Sequence, residues 1–307
     1  MLAPQTVRES TAKVMERAVH VRLADDACAR LAQRILAEPA AASWDATDHF
    51  VGEARLTLRY LLVLDALNFC FWPDEGFEYG HLARALRVVI IDDPQAFDAD
   101  RLIGLTASQL AAWLGRPLAL LEERARLLRE LGAVLAAEFD GDVAGLVAAA
   151  QGSAARLATL TARYLPGFRD HGLHRGHQVF FYKRAQIFAA DVWGAFGGVG
   201  AGAFDDIAEL TTFADYRLPQ LLRAQGVLRL DRASAQRIDG RQEILAGDAL
   251  EIELRAATVQ AVERARDALG WLGRPHTAVE VDWWLWHHAE AAAEDLPPHH
   301  RTRSIYY

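Results

Sequence analysis

The sequence predicts a nearly all-α protein, and two observations support that class. Apolar residues recur at three- and four-residue spacing almost throughout the 307-residue chain, which is the periodicity of amphipathic helices. Alternating runs of β-branched residues, which are typical of strands, are scarce. We therefore expect a compact multi-helix fold with a ligand cleft between helices, and a single domain over residues 1–307 that is built as one unit or as two intimate lobes.

The helices can be assigned along the chain. "LRVVIIDDP" (86–94) is the main strand candidate, although it fits a helix end equally well. Thr106 with Gln109, and Thr277 with Glu280, have the spacing of capping boxes at helix starts. Amphipathic periodicity predicts helices in "ERARLLRELGAVLAAEF", "SAARLATLTARYL" and "EIELRAATVQAVERARDAL". The segment "HQVFFYKRAQIFAADVWGAF" (177–196) is apolar on almost every side, so we predict one buried helix there.

Composition excludes several classes of function. The chain has 33 basic and 41 acidic residues, a net charge of -8, and this balance disfavours binding along duplex nucleic acid. Two cysteines without a CxxC pair, and an N-terminus without an apolar signal core, favour a cytoplasmic protein with no membrane partner. Phosphate loops of the GxGxxG and Walker types and a GxSxG elbow are absent from the sequence. The three histidines of "HGLHRGH" lie in a Gly-containing loop, so we expect no metal site.

The stretch "NFCFWPDEGFEYG" (68–80) follows an apolar helical run and permits two interpretations. It is either the end of a core helix or the wall of a pocket for a flat ligand. In the second interpretation Asn68 hydrogen-bonds an edge of that ligand, and Phe71 or Trp72 stacks on its face.

Charged residues in apolar surroundings mark a second set of candidates. Lys183 and Asp191 lie within the predicted buried helix, where a charge must be paired or must face a ligand. Asp215, Tyr216 and Arg217 stand just before the Pro219 of another predicted helix. Asp215 either caps that helix, which the local pattern favours, or is a carboxylate held at a cleft edge for acid–base or nucleophilic work.

The C-terminal region adds three candidates. Asp282 and Trp286 are four residues apart on one helical face, so they can bind the donor edge of a guanine-like base and stack on its ring. A tryptophan-rich core helix with an exposed Asp explains the same pattern. The last residues, "SIYY", suggest that the tail, including Tyr307, docks on the protein.

Taken together and in order, these motifs resemble the queuosine salvage protein family of queuosine 5′-phosphate N-glycosidases. The resemblance rests on "LDALNFCFW", "FYKRAQ", "FADYRLPQLL", "EIELRA", "VDWWLW" and "HRTRSIYY", and it extends from about residue 5 to the C-terminus. It implies an all-α fold related to helical DNA glycosylases, hydrolysis of queuosine 5′-monophosphate to queuine and ribose 5-phosphate, and no metal or organic cofactor.

The resemblance also implies roles for residues. The carboxylate of "FADYR", Asp215, is the expected catalytic residue, and the lysine of "YKR", Lys183, is expected near the substrate. We expect the substrate-binding residues to be Asn68, Phe71, Trp72, Asp191, Tyr216, Arg217, Asp282, Trp286 and Tyr307, in a protein that works as a monomer. Two other functions fit the same residues, namely a general purine nucleotide N-glycosidase and a non-catalytic queuine-binding protein.

Overall fold

The computed structural model describes residues 2–38 and 43–307. It is 58% helix and 5% strand, which confirms the mostly helical class that the sequence predicts. The helices of these residues are α1 (Ala3–Met15), α2 (Asp25–Leu36), α3 (Ala54–Leu67), α4 (Tyr79–Asp92), α5 (Ala99–Ile103), α6 (Ala107–Trp113), α7 (Leu121–Glu138), α8 (Val143–Ala149), α9 (Ala154–Tyr164), α10 (Lys183–Ala195), α11 (Arg217–Ala224), α12 (Arg232–Asp239), α13 (Ala249–Trp271) and α14 (Ala278–Ala291). Across the described ranges, we find no helix that is both long and apolar enough to cross a membrane.

Four short strands accompany the helices. They are β1 (Val21–Leu23), β2 (His171–His174), β3 (His177–Phe180) and β4 (Leu228–Leu230). β1 pairs antiparallel with β4, with Arg22 opposite Arg229, and β2 pairs antiparallel with β3 as a hairpin. Each sheet of the described chain has only two strands, and such ribbons depend on packing against helices for stability.

The described chain folds as two compact units. Unit 1 comprises the chain up to Ser43, then Asp170–Lys183 and Ile207–Ser304. Unit 2 comprises Trp44–Arg169, Arg184–Asp206 and Ile305–Tyr307.

The long helix α13 forms the centre of unit 1. Every residue from 250 to 259 is buried, and α13 packs against α1, α2, α11 and α14. A helix that is buried on all sides is normally apolar, yet this one carries Glu251, Glu253 and Arg255. Buried charges of this kind must be paired or hydrogen-bonded.

Glu253 shows how one of these charges is satisfied. Its Oε2 accepts hydrogen bonds from the successive backbone N–H groups of residues 19, 20 and 21, at 3.0, 2.6 and 3.2 Å. Its Oε1 lies 3.0 Å from Nε2 of His174, which is also buried. The carboxylate therefore anchors the entry to β1 and the end of β2 on the central helix.

Helix α3 occupies the corresponding central place in unit 2. Glu53 caps it by accepting hydrogen bonds from the N–H groups of Arg55 and Leu56. Every residue from 60 to 67 is buried, and α3 packs against α4, α7 and α8. The apolar run before "NFCFW" is therefore a core helix, and Asn68 is its C-cap.

Two local predictions are decided by the structure. The segment 177–196 is not one helix: residues 177–180 form β3, and the helix starts only at Lys183. The strand has the partner β2 to complete its hydrogen bonds, and Tyr182 has a left-handed φ of 49° that interrupts any continuous helix. The segment 86–94 ends helix α4 rather than forming a strand. The capping boxes at Thr106 and Thr277 are confirmed.

Candidate active site

Asp215 lies in the irregular segment that leads into α11 in unit 1. Its Oδ1 accepts hydrogen bonds from the N–H groups of Arg217 and Leu218, both at 2.9 Å. Asp215 thus satisfies the first two N–H groups of α11, as the helix-cap interpretation requires, although the residue at the N-cap position is Tyr216. Both bonds end on Oδ1, so Oδ2 retains its acceptor capacity for a reactant. The cap therefore fixes the carboxyl group without occupying both of its oxygens.

The charge of Asp215 is set by opposing influences. The residue is only 9% exposed, and burial raises the pKa of Asp215 above its ordinary value because a charged carboxylate is poorly solvated there. The positive charge of Lys183 acts most strongly in the opposite direction, followed by the bond from the N–H of Leu218 and by Arg217. Lys183 is itself buried, as the first residue of α10. The structure thus brings together the two residues that the family resemblance singled out.

Asp282, on α14, is the second buried carboxyl group of this cluster. Its Oδ1 accepts hydrogen bonds from the hydroxyl of Thr212 and, at 2.7 Å, from the N–H of Phe213. The pKa of Asp282 is raised to about 7, chiefly by burial and also by the negative charge of Asp215, against the opposing effects of Thr212, Phe213 and Lys183. At neutral pH this carboxyl group is therefore close to half-protonated, and it can accept or donate a hydrogen bond.

Tyr216 and Arg217 follow Asp215 in the chain. The buried ring of Tyr216 packs on the ring of His299 with centroids 4.6 Å apart. Burial lowers the pKa of His299 to about 4, so this ring is neutral at pH 7. Nε of Arg217 forms an ion pair with Glu290 at 2.8 Å. His299 follows Pro297 and Pro298, and no sequence motif predicts its contact with Tyr216.

Trp286 is placed differently from the other candidates of unit 1. It is half-buried and packs against the apolar core formed by α2, α11, α13 and α14. Its ring also meets His287 edge-on, with centroids 5.4 Å apart. A role in stacking on a base stays a prediction for Trp286.

In unit 2, the "NFCFW" segment directly follows α3. Arg124, which is fully buried, donates hydrogen bonds to the carbonyl groups of Leu67 (2.7 Å), Phe69 (2.5 Å) and Cys70 (3.2 Å). Its guanidinium also lies 4.2 Å from the centroid of the Phe69 ring. The last carbonyl groups of a helix lack partners within the helix, and a buried cation is a strong donor to them. Arg124 thus fixes the course of the chain after α3.

Arg184 assists at the same helix end. It donates to the carbonyl groups of Asp65 (3.2 Å) and Ala66 (2.6 Å), and also to that of Gly167. Its guanidinium lies 5.1 Å from the centroid of the Phe69 ring. The end of α3 is therefore held by two buried guanidinium groups.

The tail contributes to this region as the sequence suggested. The N–H of Cys70 donates to the carbonyl oxygen of Tyr307 at 3.0 Å, and Tyr307 is buried. Cys70 has a left-handed φ of 50°, a conformation that costs about 1–3 kcal/mol for a residue with a side chain and persists only where the surroundings enforce it. Phe71 is buried and lies 6.3 Å from the ring of Phe77, whereas Trp72 is half-buried. Asn68, Phe71, Trp72 and Tyr307 thus lie in one region of unit 2.

Asp191 belongs to another polar group of unit 2. Its Oδ1 accepts a hydrogen bond from the indole N–H of Trp44 at 3.1 Å, and the Trp44 ring packs on His49 with centroids 4.5 Å apart. Nε2 of His49 lies 2.8 Å from the hydroxyl of Tyr79. Burial is the largest cause that raises the pKa of Tyr79, and Asp191 adds to it. No sequence motif marks His49, and Tyr79 lies within the stretch 68–80 without an assigned role.

A close backbone approach supports the same group. A Cβ atom added at Gly194 would lie 2.5 Å from side-chain atoms of Trp44. Glycine is therefore required at this position for α10 to pack against Trp44, the residue that holds Asp191.

Comparisons with known proteins identify the family of this chain. A family model described as queuosine salvage protein matches residues 48–307. The chain belongs to the queuosine salvage protein family.

Members of this family that resemble the chain are spread across distant organisms. A queuosine 5′-phosphate N-glycosylase/hydrolase of Dictyostelium discoideum is 48% identical over 82% of this chain and 78% of its own length. The enzyme of that name from Sphaerobacter thermophilus is 40% identical over 98% of this chain and 97% of its own length. The mouse enzyme is 33% identical over 99% of both chains. The family resemblance found in the sequence is thereby confirmed.

Replacement of Arg124 by Met tests the support of the "NFCFW" segment. We expect a loss of unfolding free energy on the order of 3 kcal/mol, because several buried carbonyl groups lose their donor while the volume is nearly kept. Urea denaturation measures the loss. Arg126→Met is the matched control on the same helix, since Arg126 is exposed and its ion pairs contribute at most about 1 kcal/mol. Equal losses of unfolding free energy in the two variants would contradict the conclusion that Arg124 stabilises the "NFCFW" segment.

The raised pKa of Asp282 predicts a pH-dependent stability. The unfolded carboxyl group ionises near its ordinary 3.8 and the folded one at about 7, so in this window the native state binds a proton that the unfolded state lacks. Stability therefore falls as pH rises, by roughly 3 kcal/mol from pH 5 to 8. Asn at position 282 keeps the acceptor for Thr212 and Phe213 but cannot ionise.

The corresponding measurement is thermal denaturation at pH 5 and pH 8. The Tm of Asp282→Asn relative to the parent should be higher at pH 8 than at pH 5. Asp295→Asn, at an exposed position of the same unit, should show the same relative Tm at both pH values. A pH-independent difference for Asp282→Asn would show that the carboxyl group has no raised pKa.

Proposed function

We propose that this protein hydrolyses the N-glycosidic bond of queuosine 5′-monophosphate, with Asp215 as the catalytic carboxylate. The water-dependent reaction yields queuine, a 7-deazaguanine base that is thereby salvaged for tRNA modification, and ribose 5-phosphate. Family membership and the names of the relatives support the reaction. The observation that carries the role of Asp215 is its geometry: a buried carboxyl group, fixed through one oxygen and held beside the charge of Lys183.

Cleavage of this bond passes through a ribose with oxocarbenium character. A nearby carboxylate stabilises that positive charge or activates the attacking water, and both roles require Asp215 to be ionised. Because the base lacks the N7 atom of a purine, protonation at N7 cannot assist its departure. The ribose side of the reaction therefore carries more of the catalysis, which increases the demand on Asp215.

Asp282 is our candidate for the residue that binds the nucleobase of the substrate. Its pKa of about 7 allows it to bind as a carboxylate to the N–H donors of a guanine-like ring or to the ammonium group of the queuine side chain. Binding of such a donor or cation favours the ionised form. In unit 2, Asn68, Phe71, Trp72, Asp191 and Tyr307 remain proposed substrate-binding residues, as do Tyr216 and Trp286 in unit 1.

Lys183 and Arg217, two cationic residues of unit 1, have different proposed roles. The positive charge of Lys183 lowers the pKa of two buried carboxyl groups, those of Asp215 and Asp282, and its proposed role is to keep Asp215 ionised. Arg217 pairs with Glu290, whose side chain is 31% exposed. Arg217 itself is only 12% exposed, so Glu290 is the partner that can move into solvent. We propose that Arg217 then binds the 5′-phosphate in place of Glu290.

Other parts of the proposal concern the protein as a whole. We infer a single functional domain that acts as a monomer in the cytoplasm, where the buried thiols of Cys28 and Cys70 stay reduced. We also infer a fold related to helical DNA glycosylases, which the mostly helical architecture supports. The net charge of -8 argues against duplex DNA as a ligand, and a gel shift tests that point.

The first experiment is chromatographic detection of queuine released by the parent and by Asp215→Asn. The amide keeps the capping acceptor but carries no charge, so kcat should fall about 10³-fold while substrate binding is largely retained. Asp231→Asn is the matched control, because Asp231 also caps a helix of unit 1 and we assign it no catalytic role. Near-normal kcat in Asp215→Asn would refute the proposed role, and guanine release from guanosine monophosphate at a comparable rate would refute the proposed substrate.

Lys183→Met and Arg217→Met separate the two cation roles. Without Lys183 the pKa of Asp215 rises further, so the acidic limb of the kcat/KM profile should move to higher pH for queuosine and its 5′-monophosphate alike. Arg217→Met should lower kcat/KM about 10- to 100-fold for the monophosphate only. Loss of the monophosphate preference in Lys183→Met, with an unmoved acidic limb, would reverse the two assignments.

A further inference from the structure

A buried ion pair between Asp170 and Arg255 lies beside the catalytic cluster in unit 1. The guanidinium donates two parallel hydrogen bonds to the carboxylate, at 2.9 and 2.5 Å. Both residues are only 2% exposed, and the guanidinium lies 3.9 Å from the centroid of the Phe181 ring. Neither charge is used in the proposed reaction.

Arg255 reaches the segment that carries Asp215. Its Nε, the third nitrogen of the guanidinium, donates to the carbonyl oxygen of Ala214 at 3.1 Å. Ala214 directly precedes Asp215, so this bond fixes the peptide unit from which the catalytic side chain branches. A guanidinium can make these bonds at once because its donors are held in one plane.

Asp170 reaches the segment that carries Lys183. Its Oδ2 accepts a hydrogen bond from the N–H of Lys183 at 3.2 Å, at the first residue of α10. Its backbone carbonyl accepts from the N–H groups of Phe181 (3.0 Å) and Tyr182 (3.2 Å). Tyr182 has the left-handed φ of 49°, so Asp170 stabilises the unfavourable backbone that turns the chain from β3 into α10.

We infer that Asp170 and Arg255 are positioning residues that together set the separation of Lys183 and Asp215. This inference rests on the proposed function, since it assumes that these two residues carry the reaction. The link runs from the N–H of Lys183 through the carboxylate of Asp170 and the guanidinium of Arg255 to the carbonyl of Ala214. It joins parts of the chain that are far apart in sequence and fixes their main-chain atoms, from which both side chains project.

Stability alone is a weak explanation for this pair. Buried ion pairs contribute little net stability compared with apolar residues of similar size, because both charges lose their hydration. Glu253, two residues away on α13, shows a purely architectural use of a buried charge, since it binds only the start of β1 and His174. The pair Asp170–Arg255 instead hydrogen-bonds to the main chain of the two segments that carry Lys183 and Asp215.

The test compares Arg255→Lys with the control Glu253→Gln. Lysine keeps the positive charge but cannot hold both the carboxylate and the Ala214 carbonyl, so Lys183 and Asp215 should move apart. We expect kcat to fall at least about 10-fold, with KM changed less than about threefold, since small misplacements of reacting groups have large effects on rate. The acidic limb of the kcat/KM profile should move to higher pH, as the pKa of Asp215 loses part of the influence of Lys183. Glu253→Gln should lose stability but keep kcat within about twofold.

A combined variant gives the decisive result. In a Lys183→Met background, Arg255→Lys should cause no further shift of the acidic limb, because Lys183 is the group through which it acts. A further shift of equal size would overturn the inference. So would normal kcat and an unmoved limb in Arg255→Lys itself. If this variant does not fold, Asp170→Asn combined with Arg255→Gln removes both charges, and it should show the same loss of kcat.

The proposed function and the inference fail in different ways. An active Asp215→Asn variant would remove the proposed function and with it the basis of the inference. An inactive Asp215→Asn variant together with a fully active Arg255→Lys variant would overturn the inference alone.

Discussion

The charge of Asp215 is the constraint on which the rest of unit 1 depends. Burial favours the neutral acid, whereas the catalytic role that we propose for Asp215 requires the carboxylate. The positive charge of Lys183 and the two N–H bonds to Oδ1 act against burial. These influences are strong only at short distance and fixed geometry, so the main chain around both residues must be held firmly. Arg255 of α13, paired with Asp170, is placed where it can do this.

The hydrogen bonds that Asp215 accepts at the start of α11 therefore affect both the position and the pKa of its carboxyl group. Capping α11 orients Asp215, and it also lowers the pKa of the carboxyl group that burial has raised. Asp282 receives a hydroxyl and a backbone N–H, yet it remains near half-protonation because burial and the charge of Asp215 outweigh them. Burial raises the pKa of both carboxyl groups of this cluster, and hydrogen bonds from neighbouring N–H and hydroxyl groups oppose that rise.

In unit 2 the corresponding constraint is the C-terminal end of α3. Its last carbonyl groups lie in the core, where water cannot reach them, and buried guanidinium groups of Arg124 and Arg184 satisfy them. Arg124 also donates to the carbonyl group of Cys70, the residue with the left-handed conformation. If the segment binds the substrate as we propose, its main chain is already fixed before binding, which lowers the entropic cost of binding.

The sequence by itself determined the helical class, the capping boxes and the family, because periodicity, short-range caps and ordered motifs are local properties; the roles of Lys183 and Asp215 stay predictions. Only the tertiary structure decided that residues 177–180 form a strand, since the partner strand β2 supplies the missing hydrogen bonds. It likewise decided the proximity of Lys183, Asp215 and Asp282, the raised pKa values and the Asp170–Arg255 link. Burial and charge–charge distances depend on residues far apart in the chain, and no local pattern encodes them.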